Sequence, residues 1–142
     1  MTSGCIQFSG EGDTRMAVVG YCFGGLCALD LARAAPPNLK AAVSFHGGLT
    51  APERSNRPQI TAKILLLHGW EDPIVPPAEV LAITKELTVA GADWQLHAYG
   101  HARHAFTFES ANFPERGIVY DSRADERSWA AMRNHLKATL DQ

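Results

Sequence analysis

The sequence has no long hydrophobic run and no excess of one charge. Its apolar stretches are all shorter than the ~20 residues that a membrane-spanning helix needs, and 13 basic against 15 acidic residues give a formal net charge of −2. Lys and Arg are scattered, which argues against the concentrated positive charge of proteins that bind nucleic acid or anionic membranes. The amino end lacks the basic and apolar regions of a signal peptide. We therefore predict a cytoplasmic protein with no nucleic-acid or membrane partner.

Cysteine is scarce as well. There are three cysteines, an odd number, and no C-x-x-C pair among them, so the sequence indicates neither a disulfide framework nor a structural zinc site. We expect reduced thiols. With 142 residues, of which 46% are hydrophobic, the chain is long enough for one domain with one packed core.

The apolar pattern predicts alternating strands and helices. Strands are predicted from apolar, β-branched runs at residues 15–20, 40–47, 63–69 and 94–100. Helices are predicted at residues 24–34, 77–90 and 124–140. The two middle strands are continuously apolar, which is typical of strands covered on both faces. The predicted fold class is therefore α/β, with a mostly parallel sheet of about four strands and helices on both faces.

Ligands of such sheets bind beyond the carboxyl ends of the strands. Residues 20–24, "GYCFG", lie at one of these ends and fit the G-x-S-x-G nucleophile motif, with Cys22 in place of serine. The glycines permit the tight turn from strand to helix, and the helix amino end favours a thiolate. Cys22 is thus the predicted nucleophile, whereas Cys5 and Cys27 are expected to be ordinary apolar side chains.

A nucleophile of this kind needs an acid and a histidine, which follow it in the chain in that order. "HGWEDPIVPP" supplies Asp72, which we favour over Glu71 because a shorter side chain beside a proline is held more rigidly. His101 and His104 both follow the last strand and remain candidates for the base.

The other histidines are expected to have supporting roles. His97 lies within a predicted strand, and His46 and His68 end strands, where they would shape the floor of the cleft or support catalytic groups. No third ligand accompanies the pair of histidines in the last loop, so no metal site and no cofactor are predicted.

Five segments, in order, resemble the dienelactone hydrolase family of α/β-hydrolases. They are "GYCFGG", "SFHGGL", "LHGWEDPIVP", "HAFT" and "VYDSRADERSWAAM", and the likeness extends over residues 13–140. The resemblance implies a nucleophile at Cys22, an acid at Asp72 and a base at His104 rather than His101. It also implies a hydrolase that cleaves a small ester or lactone through a thioester acyl-enzyme, without a cofactor.

One departure from the family concerns the substrate. The family carries an arginine shortly after the catalytic histidine, where this chain has Phe106 and Phe108 in "HAFTFES". An apolar or aromatic ester or lactone is therefore expected, in a pocket lined by Trp70, Phe23, Phe106 and Phe108.

The second departure is a missing amino-terminal block. Residues 1–142 are interpreted as one truncated domain, the carboxyl-terminal part of the α/β-hydrolase fold, in which the backbone N–H of Phe23 is the remaining oxyanion-hole donor. The strand at residues 15–20 would have one unpaired edge, through which the chain could form a homo-oligomer. The alternative functions are a non-catalytic half-domain that self-associates or binds a partner through this edge, and a redox-sensing thiol.

Overall fold

The computed structural model describes residues 6–9, 15–53 and 58–141. Its main sheet has five strands in chain order: β1 (Ile6–Ser9), β2 (Met16–Tyr21), β3 (Leu39–Phe45), β4 (Lys63–Gly69) and β5 (Trp94–Tyr99). Strands β2 to β5 pair in parallel. The prediction of four parallel strands is confirmed, with strand ends displaced by at most two residues.

Three helices connect and follow the strands: α1 (Phe23–Ala34), α2 (Pro77–Val89) and α3 (Ser122–Leu140). Proline at the start of α2 fits the first helical turn, where no N–H is required. The Asp121 side chain caps α3 by accepting a hydrogen bond from the Ala124 N–H at 2.9 Å. A two-stranded hairpin, β6 (Asn112–Phe113) and β7 (Ile118–Val119), precedes α3.

The helices cover both faces of the sheet, as predicted. On one face α1 and α2 enclose a core that includes Leu29 and Ile83, whereas α3 contributes Met132 to the core on the other face. Along β4, Ile64 and Leu66 point to the first core and Leu65 and Leu67 to the second. This two-sided burial explains why the strand sequence is continuously apolar.

Strand β1 overturns the prediction that β2 has a bare edge. It pairs antiparallel with β2 from Ile6 opposite Gly20 to Ser9 opposite Ala17. Because β1 pairs with the backbone of β2, self-association through a bare β2 edge loses its basis. Cys5 lies outside the described residues.

The carboxyl ends of the four parallel strands lie at one edge of the sheet. Cys22 follows β2, His46 follows β3, Asp72 follows β4, and His104 lies in the segment after β5. The fold therefore brings these four residues to a common region. Among the described residues, no helix combines the length and the apolar character that crossing a membrane requires.

Candidate active site

Cys22 occupies a strained turn between β2 and α1. Its backbone has φ 51° and ψ −120°, a positive-φ conformation that costs on the order of 1–3 kcal/mol for a residue other than glycine. The turn is held because the Cys22 N–H donates to the Phe45 carbonyl at 3.0 Å and the Cys22 carbonyl accepts from the Gly25 N–H at 3.0 Å. A Cβ on Gly20 would overlap the Gly24 carbonyl. The glycine is therefore required for the sharp turn that presents the thiol.

Asp72 and His104 form a buried hydrogen-bonded pair. Asp72 Oδ2 lies 2.8 Å from His104 Nδ1, and the two side chains are 0% and 10% exposed. The other carboxylate oxygen of Asp72 accepts from the Ile74 N–H at 2.8 Å and faces the Val75 N–H at 3.4 Å. The carboxylate is thus fixed in orientation, with one oxygen committed to the backbone and the other to the imidazole.

The competing residues lie apart from this pair. Glu71 Oε1 is 3.2 Å from His101 Nδ1, and both side chains are exposed, His101 to 81%. Asp72 therefore lies next to His104, whereas the alternatives Glu71 and His101 lie next to each other at the surface. His97 lies within β5, as expected.

The small hairpin β6–β7 holds His104 in place. The His104 N–H donates to the Gly117 carbonyl at 2.9 Å, and the His104 carbonyl accepts from the Val119 N–H at 3.1 Å. Gly117 has φ 67°, and a Cβ there would overlap the Pro73 ring, next to Asp72. The hairpin thus packs against the loop of Asp72 and binds the backbone of His104, so that it positions both residues.

His104 also contacts Cys22, and its charge state follows from its surroundings. Burial lowers the pKa of His104, but the hydrogen bonds with Asp72 and Cys22, together with their negative charges, outweigh burial and raise the pKa to about 9. At neutral pH the ring therefore carries two protons. An imidazolium here stabilises negative charge on both neighbours.

His46 is a second imidazole at the cysteine, and the sequence assigned it only a supporting role. Its Nδ1 lies 3.2 Å from Cys22 Sγ, and its Nε2 lies 2.8 Å from Thr107 Oγ1. Burial, aided by the charge of His104, lowers the pKa of His46 to about 3. The position of His46 directly after β3 is the feature of the sequence that could have predicted this contact, because the carboxyl ends of neighbouring parallel strands lie side by side.

His68 is buried beneath the site. Burial lowers its pKa, with smaller effects from Asp72 and His104, and its ring stands edge-on to Trp70 with centroids 6.5 Å apart. This position fits the predicted role in the floor of the cleft.

One group of atoms could also suit a soft metal ion. Cys22, His46 and His104 offer a sulfur and two ring nitrogens within 4.8 Å of one another, which are donor types that zinc prefers. The contacts between the thiol and the two imidazoles account for this closeness without an ion.

The aromatic residues predicted to line a pocket lie in different surroundings. Trp70 and Phe108 are 46% and 61% exposed, and the Phe23 side chain is 67% exposed. Phe106 is fully buried and stacks edge-on against His46 and Tyr99. Its prediction as a substrate-lining residue is corrected, because the ring has no surface for a ligand and instead packs behind His46.

The predicted oxyanion donor lies at the helix amino end. Phe23 is the first residue of α1, so its N–H has no carbonyl acceptor four residues earlier in the helix. This N–H directly follows Cys22, which is the position that the motif requires.

A cavity of about 650 Å³ lies elsewhere, against the last turns of α1 and α2. Its lining includes Arg33 and Glu86, whose side chains pair at 2.8 Å. None of the predicted site residues borders this cavity, so it is separate from the candidate site at Cys22.

Comparisons with known proteins show the family of the chain. The family model for the dienelactone hydrolase family matches residues 5–140. An uncharacterized protein of Caenorhabditis elegans is 36% identical over 125 residues, which are 87% of this chain and 79% of that protein. A protein of Escherichia coli (strain K12) named "Putative carboxymethylenebutenolidase" is 34% identical over 87% of this chain and 46% of its own length.

Solved structures are similar as well. A dienelactone hydrolase-like promiscuous phosphotriesterase from metagenomic libraries is 38% identical, with a TM-score of 0.79 over 87% of this chain and 52% of that one. An alpha/beta hydrolase enzyme from a deep-sea metagenome library is 22% identical, with a TM-score of 0.64 over 89% and 55% of the two chains, which supports the fold. The chain thus spans about half the length of the E. coli relative and of these structures. It belongs to the dienelactone hydrolase family.

Proposed function

We propose that this chain hydrolyses small esters or lactones by transferring the acyl group to Cys22 and then to water. The observation that carries the proposal is the arrangement of three side chains: a cysteine in a strained strand-to-helix turn, in contact with a histidine whose other ring nitrogen is 2.8 Å from a buried carboxylate. This is the arrangement of nucleophile, base and orienting acid that acyl transfer needs.

In the first step the Cys22 thiolate attacks the carbonyl carbon and forms a C–S bond. The carbonyl electrons move to oxygen, and the N–H of Phe23, at the positive end of α1, stabilises this oxyanion. When the oxyanion collapses, the bond to the leaving oxygen breaks and His104 Nε2 gives its proton to that oxygen. An alcohol leaves, or a lactone ring opens, and a thioester remains on Cys22.

In the second step water replaces the thiolate. His104, now neutral, takes a proton from water while the oxygen of that water attacks the thioester carbonyl. Collapse of the new oxyanion breaks the C–S bond, so that the carboxylic acid is released and the thiolate and the imidazolium are restored. Throughout the cycle His104 Nδ1 keeps its proton and donates a hydrogen bond to the Asp72 carboxylate, so Nε2 is the nitrogen that exchanges protons.

The surroundings of the site favour an apolar substrate. Trp70 and Phe108 expose aromatic surface, and the residues that directly follow His104 contain no cation to pair with a substrate carboxylate. We therefore propose an aromatic or aliphatic ester or lactone without a negative charge near the carbonyl. The names of the E. coli relative and the phosphotriesterase support hydrolysis as the reaction class, without fixing the substrate.

Turnover of chromogenic esters tests the proposal. The chain is assayed with p-nitrophenyl acetate, p-nitrophenyl benzoate and p-nitrophenyl succinate, the last carrying a carboxylate. We expect the two neutral esters to be cleaved with a higher kcat/KM than the succinate. Cys22→Ala should abolish turnover, and Cys27→Ala, a change in the middle of α1, should not. Equal activity in Cys22→Ala and the unchanged chain would refute the proposal.

A further inference from the structure

Both ring nitrogens of His46 have partners, and one of these partners is the proposed nucleophile. Nδ1 lies 3.2 Å from Cys22 Sγ and Nε2 lies 2.8 Å from Thr107 Oγ1. The ring stands edge-on to Phe106 and to His104, with centroid distances of 4.9 Å and 5.6 Å. His46 is 2% exposed, so these neighbours leave the ring no room to turn away from the sulfur.

The backbone directs His46 toward Cys22. His46 has φ 38°, a left-handed conformation at the end of β3 that is uncommon for residues other than glycine. Its N–H donates to the Leu67 carbonyl at 2.8 Å. The next residue, Gly47, lies so close to α1 that a Cβ there would be 2.9 Å from Gly25 Cα. The turn after β3 and the first turn of α1 are therefore packed together, which fixes the distance between His46 and Cys22.

The hydrogen bonds determine which nitrogen of His46 carries the proton. Since burial keeps this ring neutral, it has one N–H. A thiolate has no proton to give, so the contact with Sγ is a hydrogen bond only if Nδ1 carries the hydrogen. Nε2 is then an acceptor, and the Thr107 hydroxyl, which can rotate, donates to it.

We propose that His46 is a second catalytic histidine: a neutral donor, fixed in its Nδ1–H tautomer by Thr107, that hydrogen-bonds the Cys22 thiolate. The proposal rests on the proposed role of Cys22 as nucleophile. In each turnover the charge on Sγ disappears when the thioester forms and returns when the thioester is cleaved. His46 stabilises the charged sulfur at both ends of this cycle, without a proton leaving the imidazole.

Two imidazoles thus act on one sulfur in different ways. His104 is charged and exchanges its proton with the substrate, whereas His46 is neutral and keeps its proton. Two imidazoles contact Cys22, that of His46 after β3 and that of His104 after β5, and Asp72 lies behind His104. Removing the His46 donor should therefore change the protonation of Cys22 while the pair of His104 and Asp72 stays in place.

The test measures alkylation of Cys22 by iodoacetamide from pH 4 to pH 10, with zinc chelator present. It uses a Cys27→Ala background, so that the tryptic peptide of residues 16–33 contains a single cysteine. His46→Phe keeps an aromatic ring and removes the donor. His46→Asn is the matched control, because its amide nitrogen takes the place of Nδ1 and asparagine tolerates positive φ. Circular dichroism checks that each variant is folded.

Hydrogen bonds to charged groups change an equilibrium by about tenfold to hundredfold. We therefore expect His46→Phe to move the midpoint of the rate profile up by about one pH unit or more. The released thiolate is also more nucleophilic, so its plateau rate should rise by roughly threefold for each unit of that shift. The two profiles then cross, which a purely structural defect would not produce. His46→Asn should keep the original midpoint.

Thr107 supplies an independent pair of variants, because it is half-buried and lies outside the core. Thr107→Val removes the hydroxyl that fixes the tautomer and should shift the midpoint in the same direction by less, whereas Thr107→Ser should not. An unchanged midpoint in folded His46→Phe, or in Thr107→Val if His46→Phe does not fold, would overturn the proposal. Alkylation does not depend on ester turnover, so loss of the proposed function would be seen separately, in the ester assay of Cys22→Ala.

Discussion

Replacing Asp72 by Asn tests the orientation of His104, because the backbone dictates which way the new amide points. The Ile74 N–H, at 2.8 Å, needs an acceptor, so the amide oxygen must take the place of Oδ1. The amide NH₂ then faces His104 Nδ1, which lies 2.8 Å from Oδ2 in the unchanged protein. Two donors cannot share this contact, so His104 must give up its Nδ1 hydrogen and keep only the hydrogen on Nε2.

The wrong tautomer removes the base from the reaction. With hydrogen on Nε2, the nitrogen that faces Cys22 cannot accept a proton, and in a serine protease the corresponding change lowers kcat by about 10⁴. We expect a loss of about 10³ to 10⁴ in kcat, or roughly 4–5.5 kcal/mol of transition-state stabilisation. KM should change little, because the buried carboxylate touches no substrate. The lost charge-assisted hydrogen bond should also lower the free energy of unfolding by about 1.5–3 kcal/mol.

The assay compares initial rates of p-nitrophenyl acetate hydrolysis for Asp72→Asn and for Glu71→Gln. The control removes the neighbouring carboxylate, which pairs with the exposed His101, and it should keep nearly full activity. Urea melts confirm that both variants are folded at the assay temperature. A folded Asp72→Asn with kcat within tenfold of the unchanged protein would refute the reasoning about the tautomer.

Three further predictions concern the base and the turn. His104→Ala should abolish ester turnover while His101→Ala keeps most of it, and the reverse result would make His101 the base. The pKa of His104 is about 9 in the folded chain and ~6.5 when unfolded. Protonation of His104 therefore adds its full contribution to the free energy of unfolding below pH 6.5, and this contribution is lost as pH rises through about 9. Urea melts should show that the unchanged chain loses up to ~3 kcal/mol more stability between pH 6 and pH 10 than His104→Gln does, and equal losses would contradict the assignment. Gly20→Ala should lower the melting temperature and the alkylation rate of Cys22 together, because the new Cβ overlaps the Gly24 carbonyl; an unchanged rate would show that the turn tolerates a side chain.

The parallel strands and the turn at Cys22 were predictable because each depends on a local pattern. The run "KILLLHG" is apolar on both faces of β4, and the glycines around Cys22 mark a turn that side chains cannot enter. The positions of Cys22, Asp72 and His104 after successive strands also predicted that the three residues come together, because residues that follow neighbouring parallel strands meet at one edge of the sheet.

Features that depend on tertiary packing were not predictable in the same way. Strand β1 has four residues, too few for a periodic pattern, and its pairing depends on the β2 edge that it covers. The contact of His46 with Cys22 depends on a φ of 38°, which the sequence "SFHGG" does not specify. Phe106 is aromatic whether it lines a pocket or fills a core, and only its packing behind His46 distinguishes the two.

Trapping the acyl-enzyme identifies the residue that carries the acyl group. The chain, in a Cys27→Ala background, is mixed with p-nitrophenyl acetate, quenched in acid within its first turnovers, and analysed by intact and peptide mass spectrometry. We predict one acetyl group, located on Cys22 in the peptide of residues 16–33, and none on that peptide in Cys22→Ala. Turnover with the acetyl group on another residue, or undiminished turnover in Cys22→Ala, would contradict it.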